Sequence, residues 1–154
     1  MKVTRLYLIW VVIIGALLLT VACLPSRVPF SAIPIAPRAE VAQLDGPEEV
    51  LIDLTQSDIR RTVKDAYGKA RIEIYALPAE MDWSKISQFY ADQLKGRDWQ
   101  SEPRFSKRTG YYQMIGWSRG GRFNRQALVV AYLEKPEGVG RNYLLVALAP
   151  KEDN

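Results

Sequence analysis

The chain has no histidine, and its 154 residues include a single cysteine, Cys23. Without histidine neither a Ser-His-Asp triad nor a Cys-His pair can be assembled. With one cysteine there is no intrachain disulfide, and no zinc site built on His or several Cys ligands. The sequence also lacks a D-x-D-x-D-G calcium loop, a P-loop, an H-E-x-x-H and a G-x-S-x-G. No cofactor and no metal site are therefore expected. Catalysis would fall to carboxylates, lysines, hydroxyls or a metal held by oxygen. Glu80 with Asp82, and Asp92 with Asp98, are carboxylates of the type that hydrolyse glycosides in pairs. Neither pair has the aromatic and polar neighbours of a sugar cleft, so both read as solvated surface. The expectation is a protein that is not an enzyme, with a carboxylate-based hydrolase of the cell envelope or a subunit of an envelope protein complex as the alternatives.

Long uncharged runs are scarce as well, with one exception at the N-terminus. Lys2 and Arg5 precede a stretch, Leu6 to Ser26, that contains no charged residue. A basic start, an apolar centre and small residues before a cleavage point describe an export signal, here residues 1–22. Left uncleaved, Leu6 to Leu24 as a helix would reach ~28 Å, close to the ~30 Å hydrocarbon core of a bilayer. On either reading the basic residues stay inside, and the rest of the chain faces outside the cytoplasm. Leu19-Thr20-Val21-Ala22-Cys23 resembles the lipobox of bacterial lipoproteins. That resemblance implies loss of residues 1–22 and a diacylated Cys23 that holds the domain on a bacterial cell membrane. Thr20 departs from the pattern, since leucine usually stands three residues before the cysteine.

Five of the nine prolines (Pro25, Pro29, Pro34, Pro37 and Pro47) lie between residues 24 and 47. Proline at that density blocks helix and central strand, so residues 23–47 are expected as an extended, poorly ordered tether. Residues 48–150 are then long enough for one core of their own, with 151–154 as a tail.

Within that domain Val50 to Leu54 is a short apolar run, a strand or the start of a helix. Ser57 suits a helix N-cap, and Ile59, Val63, Ala66 and Tyr67 follow at helical spacing before Gly68. Asp82 introduces a second helix from Trp83 to Gly96, with Ile86, Phe89, Tyr90 and Leu94 as its apolar stripe. Four strands are expected over Arg71 to Leu77, Tyr111 to Ser118, Gln126 to Leu133 and Asn142 to Ala149. Short connections make neighbouring strands antiparallel. The fold class is thus α+β, an antiparallel sheet of about four strands with two helices packed on it. The last two strands are apolar on both faces, which requires cover on both sides, from the first helix and the tether end or else from a partner or ligand.

Tyr75-Ala-Leu-Pro78 followed by Phe89-Tyr90, Leu94 and Trp99 resembles small exported bacterial α+β domains of uncharacterised function. Asp98 stands where glycine is common in them. The resemblance implies the fold and brings no activity with it.

Charge is more informative than motif. Pro103 to Leu133 carries six basic residues (Arg104, Lys107, Arg108, Arg119, Arg122 and Arg125) and no acid. The remaining chain beyond Ala22 has 13 basic against 17 acidic residues, so positive charge is concentrated in one stretch. Arg119-Gly-Gly-Arg122-Phe-Asn-Arg125 would load a hairpin tip with guanidiniums beside Trp117. Guanidinium forks suit carboxylate or phosphate. Arg119, Arg122, Arg125 and Trp117 are therefore the candidate contact for an anionic partner: a lipid headgroup, a cell-wall polymer or an acidic protein face. A solvated turn is the alternative. Nucleic acid, the usual partner of such segments, does not suit an exported chain. The expected partners are the membrane, through lipid on Cys23 or an uncleaved N-terminal helix, and an envelope component.

Overall fold

Two strands that are apolar at nearly every position dictate the architecture. The computed structural model describes residues 27–44, 46–121, 124–135 and 140–150. In chain order it contains β1 (Glu40–Val41), α1 (Glu48–Tyr67), β2 (Arg71–Leu77), α2 (Trp83–Leu94), β3 (Gln100–Ser101), β4 (Lys107–Arg108), β5 (Tyr112–Arg119), β6 (Gln126–Leu133) and β7 (Asn142–Pro150). Single 3-10 turns cover Phe30–Ala32 and Pro103–Phe105. The strands form one antiparallel sheet in the order β1-β2-β7-β6-β5-β3, and β4 pairs with the other half of β5. The fold is α+β as expected, but the sheet has seven strands rather than four. The additional three are two-residue strands at the edges, too short for any alternation to show.

Both faces of β6 and β7 are covered by this chain. One face presents Ala127, Val129, Ala131, Leu145, Ala147 and Ala149 to Ile52, Ile59, Val63 and Tyr67 of α1. Small side chains let a helix approach closely, and α1 lies directly on β6 and β7. The other face presents Leu128, Val130, Tyr132, Leu144, Val146 and Leu148 to Ile86, Tyr90 and Leu94 of α2. Asp82 caps α2 as the sequence suggested, its Oδ1 accepting from the Lys85 N–H at 2.9 Å. Burial pushes the Tyr90 hydroxyl pKa up, and that hydroxyl has no hydrogen-bond partner among the described residues.

Helix α1 begins at Glu48, nine residues before the cap that Ser57 suggested. Glu48 and Glu49 occupy the first turn, where acids complement the helix dipole, and buried Glu48 accepts a hydrogen bond from the Tyr143 hydroxyl at 3.0 Å. Val50 and Leu54 lie on the solvent side of that helix, so the apolar run was only partly a core signal.

The proline-rich segment also differs from the expectation of a loose tether. Phe30, Ile33 and Ala36 are buried on the α2 face, and β1 joins the sheet beside β2. At the segment's start, the Val28 N–H donates to Gln126 Oε1 at 2.7 Å and Gln126 Nε2 donates to the Val28 carbonyl at 2.9 Å. Proline blocks regular hydrogen bonding but not the docking of apolar side chains between the prolines. The folded unit therefore starts near Val28. Residues 1–22 and Cys23 lie outside the described residues.

Candidate functional site

The end of β5, the turn to β6, the start of β3 and the last turn of α1 meet around a cleft of about 660 Å³. Asp65, Asp98, Gln100, Arg119, Gly120 and Arg125 contribute to its walls. Gly120 makes the turn feasible: its φ is +84°, and a Cβ there would stand 2.6 Å from the Asn124 carbonyl oxygen. The Gly121 N–H donates to Asn124 Oδ1 at 2.9 Å, which closes the turn from the other side. Asp98 has φ +60°, in the left-handed region that favours glycine.

Arg119 and Arg125 are held by aromatic rings. The Arg119 guanidinium lies 5.5 Å from the centre of the Trp99 ring, and Arg125 lies 5.4 Å from that of Tyr67. Arg125 also stands 3.8 Å from Glu102, which takes a closer contact, 3.1 Å, from Arg104. Arg104 in turn reaches the Tyr67 hydroxyl at 3.3 Å and covers the Phe105 ring. Both arginines line the cleft, where a carboxylate or phosphate can meet them.

Of the four residues proposed from sequence, Arg119 and Arg125 are brought together and Arg122 lies outside the described residues. Trp117 is not at the tip. It is 7% exposed, faces α2 and packs 6.1 Å from the Tyr90 ring. Strand alternation is the reason, since Trp117 shares a face with Ile115 over the α2 core. The basic stretch from Arg104 to Arg125 is also divided in space. Lys107 and Arg108 form β4, and Lys107 is engaged with α1. Asp98 was considered only as a surface carboxylate, and Tyr67 and Arg104 only as parts of the helix pattern and the basic stretch; Asp65 and Glu102 were not singled out from sequence. Their one sequence signal is that each lies at the end of an element.

A second polar cluster sits under β4. Asp58 Oδ2 accepts from Lys107 Nζ at 2.8 Å and from the buried Tyr112 hydroxyl at 2.7 Å. The Lys107 hydrogen bond, then that from Tyr112, holds the Asp58 carboxyl below the usual aspartate range. A depressed folded-state pKa contributes stability that is complete above the unfolded value of ~3.9 and lost as pH falls through the folded value. Asp58→Asn should therefore lower the urea midpoint at pH 7. The gap to the unaltered protein should close as pH drops below about 4. A gap unchanged at pH 2 would show that the carboxylate charge is not involved.

Three of the four carboxylates considered for hydrolysis have structural partners, and the fourth, Asp98, lines the cleft with Asp65. Glu80 meets Arg38 at 2.8 Å, Asp82 caps α2, and Asp92 bonds Gln88. Among the described residues no three His, Cys, Asp or Glu side chains gather as a metal site, and no helix is long and apolar enough to cross a membrane.

No protein-family model matches the sequence, and no curated protein matches it. Among solved structures the chain is similar to LpqN, a protein involved in cell envelope biogenesis of Mycobacterium tuberculosis, with a TM-score of 0.38 and 19% identity. The match covers 55% of this chain and 50% of LpqN, so the chain spans about half the length of that protein.

Proposed function

We propose that this chain is a membrane-tethered domain outside the cytoplasm that acts by binding an anionic envelope partner rather than by catalysis. The observation that carries this reading is the juxtaposition of the docked N-terminal segment and the arginine cleft. Val28 is held by Gln126, the residue next to Arg125. A chain anchored at Cys23 would therefore present its guanidiniums at the anchored end. Glu80, Asp82 and Asp92, three of the four carboxylates considered for a hydrolase, are engaged in surface pairing, capping and helix hydrogen bonding, which supports binding over hydrolysis.

Mass spectrometry of the protein extracted from membranes tests the anchor. The expected species begins at Cys23 with a diacylglyceryl group on its sulfur. A chain that retains residues 1–22 with an unmodified Cys23 would overturn the lipid anchor.

A further inference from the structure

We propose that the end of the sheet at the β5–β6 turn rests on the anionic headgroups of the membrane itself, an inference that depends on the tether reading above. Seven basic residues gather at this end: Lys64 and Lys69 about the last turn of α1, Arg71 opening β2, Lys95 and Arg97 after α2, and Arg119 and Arg125 at the turn. The strand register brings them together. Arg119 pairs with Gln126 and Gln126 with Pro150, while Arg71 pairs with Leu148 and Gln100 with Ser118.

The acids about the same residues are Asp65, Asp98, Glu73, which pairs with Arg71 at 2.6 Å, and Glu102, 3.8 Å from Arg125, leaving a net side-chain charge of +3 from these seven cations and four anions. Both helices point their C-termini this way, which opposes the cations with a total of only about −1. The opposite end of the sheet carries Glu40, Glu48, Glu49, Glu80, Asp82 and Glu134 against Arg38, Lys85, Arg108, Lys135 and Arg141, so it is close to neutral. The excess positive charge lies at one end of the domain.

Charge alone would suit any anion; the chain's path selects the lipid surface. Five residues lead from Cys23 to Val28, and five residues span at most ~18 Å. Electrostatic attraction at physiological ionic strength decays over ~8 Å. A lipid on Cys23 thus keeps the basic end within about two screening lengths of the headgroups at all times. The near-neutral end points away. A soluble acidic protein or a distant polymer would have to compete with a surface that is already present at high effective concentration.

Lysine accessibility in the full-length protein tests this. The protein is reconstituted into phosphatidylcholine vesicles with or without one third phosphatidylglycerol, then treated with a membrane-impermeant amine reagent. Phosphatidylglycerol should reduce labelling of Lys64 and Lys95 severalfold, with Lys85 and Lys135 unchanged. Salt near 1 M, where screening acts over ~3 Å, should restore it. Lys95→Glu with Arg97→Glu, both exposed and outside the core, should also abolish the protection. Equal labelling at both ends in protein that floats with the vesicles would overturn the docking and leave the tether standing. Protein that floats with neither vesicle would overturn the tether and this proposal together.

Discussion

A chain shortened to begin at Glu48 loses about 5 kcal/mol of folding stability relative to one that begins at Arg27. The figure follows from burial: Phe30 is 8% and Ile33 4% exposed, and covering side chains of that size contributes about 1.5–3 kcal/mol each. Ala36, β1 and the paired hydrogen bonds of Gln126 with Val28 add to it. Gln126 is buried, so removing Val28 also leaves a side-chain amide without its partner. Against a typical total of 5–15 kcal/mol, such a loss brings the domain close to unfolding at ordinary temperature. Urea denaturation of the two chains measures it. Equal midpoints would mean that residues 27–47 merely lie on the sheet without stabilising it.

The second large effect concerns Gly116 in β5. A Cβ at this position would stand 2.8 Å from both Cβ and Cδ2 of Phe105, and 2.9 Å from the Leu128 carbonyl oxygen. Neither neighbour can yield readily. Phe105 is fully buried, packed edge-on to Tyr67 at 5.8 Å, and Leu128 belongs to the strand in the middle of the sheet. Gly116→Ala should cost about 2–3 kcal/mol by overpacking, and Phe105→Ala about 3–5 kcal/mol by opening a cavity. The double variant should cost less than the two together, because losing the ring removes the Cδ2 contact and frees residue 105 to shift its remaining Cβ away from the new methyl. A coupling of at least ~1 kcal/mol is expected in a double-mutant cycle. Strict additivity would show that the Phe105 ring does not press on residue 116.

Much of this architecture is legible from side-chain alternation alone. Arg71 to Leu77 and Gln126 to Leu133 have the strand bounds that their pattern suggests. The apolar character of β6 and β7 on both faces correctly required two covering layers. It pointed to the end of the proline-rich segment as cover beside the first helix, but not to the earlier part of that segment. Phe30, Ile33, Ala36 and Ala39 recur every third residue and all pack on the α2 face. Three is the period of both 3-10 and polyproline II backbone, so these side chains point the same way along the segment. Periods of 2 and 3.6 hide them. The start of α1 was missed for a different reason: Glu48 is buried through a bond to Tyr143, 95 residues away, a pairing that no local window contains. The cleft has the same character, because Tyr67, Glu102 and Arg125 meet only once α1, β3 and β6 are in place.

The edges of the sheet have a consequence for life at a crowded surface. Tethered molecules share two dimensions, so their collisions are frequent and repeatedly bring strand edges alongside one another. An edge with a long row of unpaired peptide groups invites such neighbours to add strands. Here β1, β3 and β4 offer two residues each, and the stretch of β2 beyond β1 carries Arg71 and Glu73, paired with each other at 2.6 Å. Those charges would have to be stripped of water before a second sheet could dock. The short outer strands, which add little to the core, keep the sheet from becoming a template for its own polymerisation.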